Sequence, residues 1–75
     1  MTTIEYTRAA GQRHTYRITV DDRGAFEIAL GQRVLKRGVD ALVARGVREP
    51  GPAAQESSIR YAKVAVDYLI GMKEA

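Results

Sequence analysis

Three stretches in the first thirty residues alternate apolar and polar side chains with a period of two, and this pattern constrains the fold more than any other. Ile4 and Tyr6 alternate with Thr3, Glu5 and Thr7; His14, Tyr16, Ile18 and Val20 alternate with Arg13, Arg17 and Thr19; Phe26, Ile28 and Leu30 alternate with Ala25, Glu27 and Ala29. Successive side chains of a strand point to opposite faces, so each stretch is a strand with one buried face. Asp22-Arg23-Gly24 suits a three-residue hairpin loop with glycine in the left-handed position. That loop sets Val20 opposite Phe26, Ile18 opposite Ile28 and Tyr16 opposite Leu30, all on one face, so turn and pattern agree. The turn around Gly11 leaves two registers open, and both keep Tyr6 and Tyr16 together.

Gly31-Gln32 fits a two-residue type II′ turn into a fourth strand, RVLKRG, pairing Ile28 with Leu35 and Glu27 with Lys36. A helix from Leu30 to Val43 competes for the same residues. It would contain Gly31 and Gly38, each costing nearly 1 kcal/mol relative to alanine, so the strand is preferred. Asp40 can cap a short helical turn, ALVAR, that Gly46 ends. REPGP is a loop by composition, and Pro52 suits the first position of a C-terminal helix. The expected fold is α+β: an antiparallel three- to four-stranded β-meander packed on one face by a C-terminal α-helix. Its elements in a single domain, 1–75, are strands at about 3–8, 13–21, 25–30 and 33–37, an irregular or short helical segment at 39–52, and a helix at about 53–72.

The C-terminal helix has more apolar surface than one sheet contact needs. Steps of about 100° gather Arg60, Lys63, Asp67 and Glu74 into a polar arc and Ile59, Ala62, Val66, Leu69 and Ile70 into a stripe for the sheet. Tyr61, Val64, Ala65, Tyr68 and Met72 form a second stripe. Three destinations compete for it: cover by the segment around Leu42, Val43 and Val47, contact with a partner such as a second copy, or plain exposure. Tyrosine and methionine are common at interfaces, which favours Tyr61, Val64, Ala65, Tyr68 and Met72 as candidate interface residues.

Seventy-five residues with 45% apolar content make a thin core, and chains of this size are often stabilised by disulfides, metals or oligomerisation. Cysteine is absent and there is one histidine, which excludes disulfides and argues against structural zinc. Oligomerisation is left. MTTIEYTRAA lacks a positive start followed by an apolar core, and no apolar run approaches a membrane span, so the expectation is a soluble, cytoplasmic protein without membrane contact.

Enzyme signatures are missing. His14 is the sole histidine base and belongs to an inward-facing set, Asp21-Asp22 sits in a turn that favours aspartate locally, and no glycine loop has the spacing that cradles phosphate. No enzyme activity, cofactor or metal is therefore expected. Charge gives the one competing function. The net charge is +3, and Arg33, Lys36, Arg37, Arg45 and Arg48 against Asp40 place +4 within sixteen residues. Such a basic patch can contact nucleic-acid phosphates. Sheets that bind single strands carry aromatics on the open face, whereas Tyr6, Tyr16 and Phe26 alternate onto the core face here. Open edge strands add a further route to partners, with TIEYT less guarded by charge than RVLKRG. The sequence therefore points to a small non-enzymatic interaction module that associates with itself or another protein, with weak nucleic-acid binding as the alternative.

Overall fold

The computed structural model describes residues 1–9, 11 and 13–70. Strands β1 (Thr2–Thr7), β2 (Thr15–Val20), β3 (Phe26–Leu30) and β4 (Arg33–Gly38) form one antiparallel sheet in sequential order. A one-turn helix, α1 (Ala41–Ala44), and the long helix α2 (Pro52–Tyr68) follow. The expected α+β meander is thus the fold, and residues 30–43 are strand and short turn rather than one helix.

The hairpins follow the turn chemistry. Gly24 has φ 77°, its N–H bonds Asp21 O, and Asp21 N bonds Ala25 O, which closes the three-residue loop. Val20 faces Phe26 and Ile18 faces Ile28. In the first hairpin Tyr6 pairs directly with Tyr16. At the third turn Gly31 has φ 62° and Leu30 faces Arg33, as a type II′ turn requires.

Beyond that turn the expected register fails by one residue. Ala29 faces Val34, but Ile28 faces Lys36 instead of Leu35, and Glu27 faces Arg37 instead of Lys36. Leu35 is the extra residue of a β-bulge. The shift sets Gly38 opposite Phe26, where the phenyl ring fills the space of a side chain: a Cβ on Gly38 would lie 2.6 Å from the ring. In the unshifted register Arg37 would face Phe26. The bulge also leaves Leu35 and Lys36 both on the helix side, with Leu35 packed against the core.

The core comprises Tyr16, Ile18, Val20, Phe26 and Ile28 beneath Ala62, Ala65 and Val66 of α2. Ala54, Ser58, Ala62 and Ala65 are all buried along the helix, so small side chains let α2 seat close to the sheet. It crosses diagonally. Near its N-terminus, Ser58 Oγ donates to Gly24 O at 2.6 Å beside the β2–β3 turn; at its other end Asp67 meets β1. Gly51 N donates to Asp22 O at 2.7 Å, tying the loop before α2 to the same turn.

Both helices end in Schellman motifs. After α1, Val47 N bonds Leu42 O and Gly46 N bonds Val43 O, with Gly46 at φ 77°. After α2, Ile70 N bonds Ala65 O and Leu69 N bonds Val66 O, with Leu69 itself at φ 53°. The helix therefore stops at Tyr68, short of the expected 72, because Leu69 takes the left-handed position. Ile70 consequently leaves the sheet-facing stripe and is exposed. Among the described residues no helix is long and apolar enough to cross a membrane.

Candidate interaction surface

Among the described residues, the second stripe of α2 is left largely uncovered. Tyr61, Val64 and Tyr68 are 44%, 41% and 77% exposed. Leu42 and Val47 are themselves exposed, so the 39–47 segment does not supply the cover. Ala65 departs from the expected interface set and is fully buried in the core. The alanines allow α2 to roll toward that side as it approaches the sheet. Met72 lies outside the described residues.

The stripe runs along the β4 side of α2. The Tyr61 ring meets Phe26 at 5.6 Å between centroids and a 59° tilt, a favourable aromatic geometry. Beside it, Phe26, Lys36, Gly38, Ser57 and Tyr61 contribute to the walls of an open cleft of about 370 Å³. Half-buried Leu30 and Leu35 continue the apolar surface.

The opposite flank of α2 is locked to β1. Asp67 accepts from Tyr6 Oη at 2.7 Å and from Ala9 N at 3.1 Å, while its carbonyl accepts from Arg8 Nε at 3.3 Å. Lys63 Nζ lies 5.6 Å from the Tyr6 ring centroid, within cation–π range. The bond to Asp67 raises the Tyr6 pKa above its ordinary value, with desolvation and the carboxylate's charge adding to it. Helical periodicity had assigned Asp67 to a solvated arc. Because α2 crosses diagonally, that arc comes down on β1, and no local pattern signals it.

The five basic candidates do not form one patch. Arg37 lies on the outer sheet face with Glu27, Nε to Oε2 3.3 Å. Arg48 Nη1 bonds the buried Asp40 carboxylate at 2.9 Å, and Asp40 also caps α1 through Leu42 N and Val43 N. Lys36 turns to the helix side through the bulge. Arg33 is exposed at the start of β4 and Arg45 is exposed after α1. The outer sheet face alternates in sign, with Glu5 opposite Arg17 and Glu27 opposite Arg37.

His14 is half-buried just before β2, whereas Ser58 is engaged at Gly24 beyond the other end of that strand, roughly 20 Å away at 3.3 Å per residue. Among the described residues no group of three His, Asp or Glu is placed to hold a metal ion. No protein-family model matches the chain, and no curated protein or solved structure matches it significantly.

Proposed function

We propose that this chain is a soluble, cytoplasmic, non-enzymatic interaction module that self-associates through the second stripe of α2. The exposure of Tyr61, Val64 and Tyr68 beside an open cleft of mixed polar and apolar lining carries this reading. The stripe is also close to self-complementary. Tyr61 precedes Val64 by three residues and Tyr68 follows it by four, so two helices pairing antiparallel about a two-fold axis near Val64 set each Tyr61 against the other copy's Tyr68. The basic residues at 33–48 give less support to nucleic-acid binding, because Arg37 and Arg48 already face carboxylates.

Six exposed or half-exposed side chains, three from each copy, supply roughly 5–9 kcal/mol on burial, against an association cost of about 4–15 kcal/mol. The stripe alone therefore gives a dimer weaker than about micromolar, which needs a net 8 kcal/mol or so. Sedimentation velocity up to several hundred micromolar is the appropriate test, with the Tyr68→Lys variant alongside. The wild type is expected to self-associate as concentration rises, and the variant to fold normally while losing the part of that association that runs through the stripe. Equal association of the two folded chains rejects the stripe; an unfolded Tyr68→Lys chain places Tyr68 in the core instead.

A further inference from the structure

The two edges of the sheet are not equally protected. β4 carries the Leu35 bulge together with Arg33, Lys36 and Arg37, all features that discourage another strand from adding. β1 has none of these. It pairs with β2 through six consecutive positions without interruption, contains neither proline nor glycine, and has Glu5 as its one charge.

The hydrogen-bond phase of β1 identifies which of its groups face outward. Arg8 N donates to His14 O at 3.1 Å, so this opposed pair is of the hydrogen-bonded type, and such pairs alternate along an antiparallel ladder. Thr2, Ile4 and Tyr6 therefore turn their N–H and C=O groups toward β2. The short contact between Thr7 Oγ1 and Thr15 Oγ1, 2.9 Å, fits the intervening non-hydrogen-bonded pairs, whose side chains lie closer. The main-chain groups of Thr3, Glu5 and Thr7 consequently point to the free edge.

We propose that this edge is a second self-association site, taking β1 of another copy in antiparallel pairing. Glu5 selects the register. Pairing centred on Glu5 would bring two carboxylates directly opposite each other, which is unfavourable. Pairing centred on Ile4 preserves the hydrogen-bond phase, matches Thr3 with Glu5 of the other copy, and brings the two half-buried Ile4 side chains together on the helix face. A centre at Tyr6 is disfavoured because the Asp67 bonds to Ala9 N and Tyr6 Oη draw the chain toward α2 just beyond β1. The product is a closed dimer with one eight-stranded sheet. Its interface lies across the molecule from the α2 stripe, so the two sites can be filled at once.

The test isolates this edge in the Tyr68→Lys chain, where the stripe is blocked. That chain is expected to retain concentration-dependent association in sedimentation velocity. Adding Glu5→Pro is expected to abolish it while leaving the fold intact, because the Glu5 N–H makes no bond to β2 and proline is tolerated where a strand's N–H faces solvent. Amide hydrogen exchange gives a readout that needs no proline. In the Tyr68→Lys chain, Thr3, Glu5 and Thr7 should exchange at least several-fold more slowly at high concentration than at low, while Ile4 and Tyr6 stay constant. A monomeric Tyr68→Lys chain at every concentration, association that survives Glu5→Pro, or concentration-independent exchange at Thr3, Glu5 and Thr7 overturns the proposal.

Discussion

At the residue scale, Gly24 and Tyr16 have opposite relations to their surroundings. Gly24 is held at φ 77°, and a Cβ there would sit 2.5 Å from Asp40 Cβ and 2.8 Å from Ser58 Oγ. Left-handed backbone costs a residue with a Cβ roughly 1–2 kcal/mol, and the overlap adds to it. Gly24→Ala is expected to destabilise by about 2–4 kcal/mol, lowering the melting temperature by more than about 10 °C in a domain of this size. Thermal unfolding by circular dichroism measures this directly. Tyr16 is fully buried, and its hydroxyl has no hydrogen-bond partner among the described residues. A buried unsatisfied hydroxyl costs about 1–3 kcal/mol, so Tyr16→Phe is expected to raise stability by up to about 1 kcal/mol in denaturant titration. A loss of stability would reveal a partner for that hydroxyl. The glycine requirement could be read in Asp22-Arg23-Gly24 as a turn residue, but its contacts with Asp40 and Ser58 depend on segments far along the chain.

At the scale of elements, the β1–α2 lock makes stability depend on alkaline pH. Tyr6 has a raised pKa in the folded chain because its hydroxyl donates to Asp67. The folded state then holds the phenolic proton more tightly than the unfolded state, whose value is near 10.0. This contribution is fully present below that value and is lost as pH rises through the higher folded value. Chemical denaturation at steps from pH 8 upward should show stability falling above about pH 10, with a shallower fall in Tyr6→Phe. Parallel curves for the two chains would mean that the bond to Asp67 does not persist in solution.

The same scale separates what was legible in the residues from what was not. Alternation, Asp22-Arg23-Gly24, Gly31-Gln32 and the Asp40 cap each act within a few residues, and each specified its structure. The Leu35 bulge did not show, because it answers to Phe26 packing over Gly38 across two strands. The end of α2 was also hidden. Periodicity carried it to about residue 72, whereas Leu69 adopts the left-handed turn directly after Tyr68 with no glycine at that position to mark it. Of the candidate interface, Tyr61, Val64 and Tyr68 followed from helical periodicity, but the assignment of Ala65 depended on how far α2 rolls toward the sheet.

At the scale of the molecule, one helix laid diagonally over four strands leaves one flank locked and the other bare. The bare flank has the aromatic stripe, and beyond the locked flank lies the unguarded β1 edge. Two isologous interfaces on separate surfaces generate assemblies larger than a dimer when both are filled. The wild-type chain is therefore expected to pass beyond dimer at the highest concentrations, and either Tyr68→Lys or Glu5→Pro alone to stop it at dimer. Sedimentation equilibrium distinguishes these states by mass.

The Tyr6–Asp67 bond spans 61 residues, whereas each hairpin closes over a few. During synthesis from the N-terminus, the strands can pair while the residues that cover them are still inside the ribosome. The apolar face carrying Tyr16, Ile18 and Ile28 then waits for α2 to emerge. On the proposal that the β1 edge takes a second copy, that edge meanwhile stands open to nascent neighbours on the same message, and assembly between copies would have its first opportunity before either copy has finished folding.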